Sequence, residues 1–226
     1  MIDFVGSLEK VILAFLPIIL AITLHEAAHG YVAMKRGDMT AYRAGRVSFN
    51  PLRHVDLVGT LLIPGLLFLS HAPFLMGYAK PVPVNARYLH NPRLDMAWVA
   101  LAGPGMNIIL CILSGIALKA LNLWGQSGAF IQFFHALSIN MIFVNIFIGL
   151  FNLLPILPLD GGRILSSCLK PSLAVKFQKS EPYGMLIIMG LVLVIPWVFK
   201  INPIGMALTK TGRFLVELMF SLFGIR

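Results

Sequence analysis

The sequence predicts an all-α polytopic membrane protein with about five to six membrane segments. Hydrophobic residues make up 58% of the 226 residues, and charged residues only 12%. The mean hydropathy of +0.85 lies outside the range of soluble globular domains. The apolar residues are concentrated in runs long enough to cross about 30 Å of hydrocarbon as helices. These runs are 8–34, 58–76, 96–121, 130–157, 185–199 and 204–223.

The charges between the apolar runs predict the orientation. Three connecting stretches are basic, whereas 122–129 carries no charge. Cytoplasmic loops are enriched in Lys and Arg, so we expect the basic stretches inside and 122–129 outside. This pattern also explains the net charge of +9 without nucleic acid as a partner. The bases are Lys35, Arg36, Arg43, Arg46 and Arg53 in the first stretch, Lys80, Arg87 and Arg93 in the second, and Arg163, Lys170, Lys176 and Lys179 in the third.

Two short stretches interrupt the helical pattern and predict a small membrane-associated β element. Polar and apolar residues interleave over 42–49, and Pro81 and Pro83 exclude a helix over 79–84. Extended backbone at membrane depth has to lie inside protein or beside a water-filled cavity. We therefore expect these stretches to form a small sheet beside a cleft.

The first apolar run contains the motif HEAAH at 25–29. On a helix, His25 and His29 share one face and can bind one metal ion, while Glu26 can act as general base on a water at that ion. Zinc lowers the pKa of such a water and polarises a scissile carbonyl. A chance arrangement is the alternative, but two imidazoles and a carboxylate are costly to bury in lipid without a function.

A catalytic zinc site needs a third protein ligand, and Asp160 is the candidate. It follows the run 130–157, where Pro155 and Pro158 stop the helix and the two glycines after the aspartate allow a sharp turn. The carboxylate is thereby placed at the end of a membrane helix. Capping of the next helix is the alternative role for such a residue.

These motifs resemble the site-2 protease family of intramembrane zinc metalloproteases, in which HEAAH is followed downstream by a segment similar to FNLLPILPLDGG at 151–162. GYAKPVPVN at 77–85 and AGPGMN at 102–107 are similar to further motifs of the compact prokaryotic members. The resemblance covers residues 20–165. It implies that His25, His29 and Asp160 bind one Zn²⁺ per chain and that Glu26 is the general base.

The resemblance also implies a function and a layout. We expect one membrane-embedded domain over 1–226, with a catalytic core over 8–165 and a trailing helical hairpin over 183–224. Neither a PDZ-like insert nor a nucleotide-sensing tail is expected. The protein would lie in a prokaryotic cell membrane, in contact with lipid. There it would hydrolyse peptide bonds within or near the transmembrane segments of other membrane proteins, chiefly single-span ones. The sequence identifies no regulator.

Two sets of residues are expected to bind the substrate. The resemblance implicates Asn152, and with it Asn107, because each can offer an amide to a substrate carbonyl or a developing oxyanion. Interhelical packing is the alternative role for both. Lys80, Val82 and Val84 lie in the second extended stretch, which can pair with an unwound substrate by strand addition. A plain turn is the alternative there, because its prolines lack N–H donors.

The metal site restricts the topology. His29 and Asp160 have to lie at the same membrane depth to bind one ion. If 58–76 crossed the membrane, Asp160 would emerge on the opposite face. We therefore expect 58–76 to enter and return, breaking at Pro64-Gly65, or to lie buried without crossing. The active site then faces the cytoplasmic side.

Two other classes of protein are alternatives. A catalytically silent membrane scaffold would be expected to lack a ligand or the base, and all four residues are present. A zinc transporter would be expected to carry several exchangeable sites along a path, whereas this sequence has one closely spaced site with a glutamate beside it.

Overall fold

The computed structural model of the chain describes residues 4–54, 56–69, 80–124 and 128–225. These residues are mainly helical, which confirms the predicted all-α class. Short 3₁₀ or π-helical turns occur at Pro51–Arg53, Leu57–Leu62, Ala86–Tyr88 and Gly190–Val194. The α-helices are α1 (Phe4–Lys35), α2 (Thr40–Arg43), α3 (Ile63–Leu69), α4 (Pro92–Trp124), α5 (Ala129–Asn152), α6 (Asp160–Cys168), α7 (Pro171–Gln178), α8 (Glu181–Met189), α9 (Ile195–Phe199) and α10 (Pro203–Phe223).

Three long helices form the centre of the fold. Helices α1, α4 and α5 pack against one another, α6 lies on α4, and α10 lies along α5 and α4. Within the described chain, four segments are long and apolar enough to cross a membrane, which identifies an integral membrane protein. Helix α10 is not among the four, and it carries Lys210, Arg213 and Glu217. The four segments are Leu8–Lys35, Pro92–Leu123, Ala129–Asn152 and Glu181–Phe199.

Glycines let the last helix approach the bundle closely. The ring of Phe147 lies where a Cβ on Gly212 would be, and the ring of Phe223 lies 2.3 Å from the position of a Cβ on Gly115. Together with the buried side chain of Val216, these contacts fix α10 against α4 and α5. The trailing helices thus pack on the same bundle that carries the HEAAH motif.

The two ends of the predicted re-entrant run lie side by side. The backbone N–H of Lys80 donates to the carbonyl of His54 at 2.9 Å, so the chain returns at residue 80 to the place it leaves at 54. Residues 57–69 are helical, and Pro64-Gly65 lies inside this helical stretch rather than at a break. Residues 70–76 lie outside the described part. The adjacent ends support an entering and returning segment.

The predicted β element is not found among the described residues. Residues 42 and 43 belong to α2, and 44–50 form turns and bends instead of a strand. Residues 80–85 form neither helix nor strand, and Asn85 at the end of this segment has extended backbone angles, φ −109° and ψ 104°. Val82 donates to the Glu26 carboxylate and Asn85 to the Asp38 carboxylate. Residue 79 lies outside the described part.

The chain turns between α5 and α6 over 153–159, as the prolines predicted. The adjoining glycines have a different role from the sharp turn we expected, because both lie inside α6. A Cβ on Gly161 would lie 2.1 Å from the carbonyl oxygen of Leu153, and one on Gly162 would lie 2.5 Å from the carbonyl carbon of Ile156. The glycines therefore let the start of α6 approach the end of α5, which places Asp160 against the bundle.

Candidate active site

The two histidines of HEAAH converge on Asp160. They are one turn apart on α1, so their rings project from the same face. His25 Nε2 is 3.0 Å from Asp160 Oδ2, and His29 Nε2 is 3.3 Å from Asp160 Oδ1. All three side chains are buried, and their candidate ligand atoms lie within 4.8 Å of one another. Among the described residues they form a group that can hold a metal ion.

The other ring nitrogen of each histidine has a fixed partner. His29 Nδ1 is 2.6 Å from the carbonyl oxygen of Val99, which can only accept, so this nitrogen carries the proton. His25 Nδ1 is 2.6 Å from Asn107 Oδ1 and donates to it. In the neutral rings both Nε2 atoms are then lone-pair donors for a metal.

This arrangement fits a zinc ion. Two Nε2 lone pairs face two carboxylate oxygens, and Asp160 Oδ2 is buried without a hydrogen-bond donor in the described part of the chain. Acceptor atoms that converge in this way need a cation or added protons between them. Two imidazoles and one carboxylate are a ligand set of catalytic zinc sites. Asp160 is the first residue of α6, but Leu159 and not Asp160 occupies the N-cap position, so the alternative role of capping this helix is not observed.

Gly103 forms the wall behind the two histidines. A Cβ at this position would lie 2.5 Å from Nε2 of His25 and 2.6 Å from Cε1 of His29. Any larger residue would therefore displace the rings. This contact with the two histidine rings depends on the packing of α4 beside α1, so it could not be predicted from the sequence.

Glu26 is half-buried, and the segment 80–85 holds its carboxylate. The backbone N–H of Val82 donates to Glu26 Oε2 at 3.0 Å. This hydrogen bond fixes the orientation of the carboxylate that is proposed as the general base. The residue preceding Val82 is a proline, so its backbone conformation is restricted and the donor is held in place.

Asp38 fixes the other end of that segment. The N–H of Asn85 donates to Asp38 Oδ2 at 2.6 Å, and the N–H of Thr40 donates to Oδ1 at 2.9 Å. Burial would raise the pKa of Asp38, but these bonds and one from the Thr40 hydroxyl outweigh it and hold the pKa below its usual range. The carboxylate is therefore ionised at neutral pH and keeps the segment beside α1.

The residues expected to bind substrate occupy different environments. Asn107 is buried, with both amide atoms bonded inside the protein, whereas Asn152 is half-buried and donates to the Ile148 carbonyl of its own helix at 3.0 Å. Lys80 is exposed. Val82 is buried, and Val84 packs on the cluster of Ala33, Leu89 and Val99.

Comparison with known proteins identifies the family. The family model described as "Peptidase family M50" matches residues 115–195. The chain is 38% identical over 180 residues to "Putative zinc metalloprotease YwhC" of Bacillus subtilis, which covers 77% of each protein. It is 26% identical over 227 residues to "Putative zinc metalloprotease Rip2" of Mycolicibacterium smegmatis, covering 93% of this chain and 80% of the relative. No solved structure matches significantly. The matched residues include Asp160, and the 38% identity extends over most of both proteins, so the chain belongs to peptidase family M50, the site-2 protease family.

Proposed function

We propose that this protein is an intramembrane zinc metalloprotease that hydrolyses peptide bonds within or near the transmembrane segments of other membrane proteins. The main support is the buried group of His25, His29 and Asp160 with Glu26 one residue from the first histidine. Membership of family M50 and the names of its relatives support a metalloprotease. The intramembrane substrate is inferred from the four segments long and apolar enough to cross a membrane, the first of which carries His25 and His29.

In the proposed mechanism, His25, His29 and Asp160 would hold one zinc ion per chain. Bound there, zinc supplies a Lewis acid that activates water and polarises the scissile carbonyl. Glu26 takes the proton from the attacking water and passes it to the amine that leaves. The Val82 N–H keeps the Glu26 carboxylate oriented during both transfers.

The substrate is proposed to bind beside the segment 80–85. A peptide bond in a transmembrane helix has to leave its helical hydrogen bonds before hydrolysis, and its backbone then needs new partners. The N–H groups of Lys80, Val82 and Asn85 are already bonded within the protein. We therefore propose that the substrate pairs with carbonyl oxygens of this segment. Asn152 would give up its hydrogen bond to the Ile148 carbonyl and donate instead to the substrate carbonyl or the oxyanion.

The proposed location is a prokaryotic cell membrane, with the site facing the cytoplasmic side. The basic stretches that follow α1 and precede α4 support this orientation. Single-span membrane proteins are the proposed substrates, because one helix can be admitted to the bundle without moving a larger domain. Lipid is the other proposed contact.

The decisive test is Glu26→Gln, with Glu9→Gln as the control on the same helix. The amide keeps the size of Glu26 but cannot take a proton, so we expect zinc content to be unchanged and cleavage to fall by at least about 10²-fold. Zinc is measured by elemental analysis of the purified protein. Uncut substrates are identified by comparing the membrane proteomes of cells with wild-type and variant protein.

The result separates the alternatives. Full cleavage in Glu26→Gln would contradict the proposed mechanism. Zinc retained without any substrate accumulating in the variant would indicate a silent scaffold. Zinc transport into vesicles that persists in Glu26→Gln would indicate a transporter instead. Glu9 is exposed near the start of α1, and its variant should match the wild type in every measurement.

A further inference from the structure

A chain of buried amides leads from His25 into the centre of α5. Asn107 Nδ2 donates to Asn145 Oδ1 at 2.8 Å, and Asn145 Nδ2 donates to the carbonyl oxygen of Met141 at 2.8 Å. Asn107 is 1% exposed and Asn145 is 0% exposed. Neither side chain can therefore exchange its partner for water. The polar chain runs from the proposed metal ligand on α1 through α4 to α5.

The main-chain carbonyl at the far end decides the direction of every hydrogen bond in this chain. A carbonyl can only accept, so Asn145 has to turn its Nδ2 toward Met141 and its Oδ1 toward Asn107. Asn107 must then present its Nδ2 to Asn145, which leaves its Oδ1 for His25. His25 Nδ1 consequently carries the proton, and its Nε2 lone pair faces Asp160.

We propose that Asn145 is a positioning residue for the metal site: through Asn107 it selects the tautomer of His25 that can bind zinc. This inference rests on the proposed zinc function. It also assigns Asn107 to holding His25 instead of contacting the substrate, because both of its amide atoms are committed inside the protein.

The need for such a relay follows from the difference between the two histidines. His29 Nδ1 faces a main-chain carbonyl directly, so its tautomer is fixed without help. His25 Nδ1 faces a side-chain amide, whose oxygen and nitrogen have nearly the same shape. Without Asn145, the Asn107 amide can rotate by half a turn and donate to His25 Nδ1. The proton then moves to Nε2, and the ring no longer has a lone pair for the metal.

The test compares two substitutions at the same position. Asn145→Leu removes the relay while filling similar volume, and we expect zinc affinity to fall about 10- to 100-fold. Asn145→Asp should restore it. A buried carboxyl is held neutral, so its carbonyl oxygen accepts from Asn107 and its hydroxyl donates to Met141. Zinc affinity is measured by competition with a chelator on the purified, detergent-solubilised protein.

Asn140→Leu is the matched control. Asn140 lies on the same helix and donates to the carbonyl of Leu13 at 3.1 Å, so its loss also removes a bond between α5 and α1. Asn140 has no part in the relay, so the zinc affinity of Asn140→Leu should stay at the wild-type value. An equal loss in Asn140→Leu would show a general packing effect and overturn the proposal. Wild-type affinity in Asn145→Leu would overturn it as well.

A second measurement needs no variant. In metal-free wild-type protein labelled with ¹⁵N in histidine, long-range ¹H–¹⁵N spectra should show a proton on His25 Nδ1, whether or not Nε2 facing Asp160 also carries one, because Asn107 Oδ1 can only accept. A His25 Nδ1 without a proton would overturn the proposal. A wild-type protein that shows the Nδ1 proton but binds no zinc would support the relay and contradict the proposed zinc function, so the two failures are distinguishable.

Discussion

At the scale of single residues, the space behind the histidine rings of the proposed metal site constrains the site as much as the proposed ligands do. Gly103 leaves no room for even a methyl group next to His25 and His29. Gly105, two residues further along α4, has no atom within 4 Å of the position of its Cβ. Both glycines lie inside a long helix, where alanine is the better helix former by about 1 kcal/mol. Comparing the same substitution at Gly103 and at Gly105 therefore separates steric effects on the histidine rings from effects on helix stability.

We therefore predict that Gly103→Ala loses zinc and Gly105→Ala does not. The added methyl group would have to push the two imidazoles away from Asp160, and a shift of a few tenths of an ångström breaks the ligand geometry. Metal content after dialysis and the thermal unfolding temperature are the measurements. Equal zinc content in the two variants would contradict the close contact at Gly103.

A second residue-scale prediction concerns His54, which lies outside the membrane-spanning segments. Its side chain is buried, Nε2 bonds the Ser48 carbonyl at 3.0 Å, and Nδ1 has no partner in the described part of the chain. Burial lowers the pKa of His54, and Arg46 and Arg53 act in the same direction; bonding to Ser48 and the charge of Glu26 oppose them without reversing the shift.

The unfolded protein therefore binds a proton at His54 more readily than the folded protein does. Stability should fall as the pH drops below about 6.5, the usual value for histidine, towards the lower pKa of the folded state. His54→Gln should show a smaller loss of thermal stability between about pH 7 and 5 than the wild type, because this one penalty is removed. His90 is exposed, so His90→Gln is the control and should keep the wild-type dependence of thermal stability on pH. The same wild-type dependence in His54→Gln would contradict a buried, neutral His54.

The sequence identified the residues that are proposed to carry the chemistry, but not the residues that hold them in position. HEAAH is a local pattern, and Asp160 is marked by the prolines and glycines around it, so both can be recognised without a structure. The partners Asn145, Gly103 and the N–H of Val82 act across helices. An asparagine in an apolar run was the available signal for Asn145, but its role depends on the pairing of α4 with α5.

At the scale of elements, hydropathy located the helices and misjudged their ends. The run 130–157 continues past the end of α5, since apolar residues also fill the turn that leads to α6. Pro155 and Pro158 mark that turn, which composition alone does not separate from the helix. The alternation over 42–49 predicted a strand, and α2 occupies its beginning. A strand needs a partner, and the neighbouring segment 80–85 donates to Glu26 and Asp38 instead.

Helix α8 packs against the turn that carries Asp160. A Cβ on Gly184 would lie 1.7 Å from the carbonyl oxygen of Leu157, three residues before the proposed ligand. This contact connects the trailing helices to the metal site through the backbone. Gly190, at the end of α8, has no atom within 4 Å of the position of its Cβ and offers a matched position.

We predict that Gly184→Ala weakens zinc binding by at least about 10-fold, whereas Gly190→Ala leaves it unchanged. The methyl group forces α8 and the turn apart, and the displaced segment carries Asp160 away from the histidines; support lost around a ligand typically costs 10- to 100-fold in metal affinity. Chelator competition measures the affinity. If Gly184→Ala only lowers the unfolding temperature and keeps its zinc affinity, the turn and the ligand are not coupled.

At the scale of the whole molecule, two contacts place the end of α1 and the start of α4 at one level. Arg36, just after α1, accepts at its carbonyl from the N–H of His90 at 2.9 Å, and its guanidinium is 3.4 Å from Asp95 in the first turn of α4. With Lys80 bonded to His54, the chain between α1 and α4 starts and ends at the same height. These contacts favour a segment 58–76 that enters the membrane and returns over one that crosses it once.

The topology leads to a labelling prediction. Single cysteines are introduced at Leu52, Tyr88 or Ala129 in a protein with Cys111→Ser and Cys168→Ser; all three sites are exposed. A membrane-impermeant maleimide should reach positions 52 and 88 only in inverted vesicles and position 129 only in intact cells. Native Cys168, exposed at the end of α6, should behave like 52 and 88 when it is the single cysteine.

The pattern of labels distinguishes the possible topologies. Opposite faces for 52 and 88 would mean that 58–76 crosses the membrane once, against the bonds that join its ends. If 52 and 88 share a face but Cys168 lies on the other, α4 and α5 would not return the chain to the level of His29. The geometry of the metal site would then be contradicted, because Asp160 could not reach both histidines. If the proposed site lies toward the cytoplasm, positions 52, 88 and 168 must be labelled from the cytoplasmic face and position 129 from the opposite face.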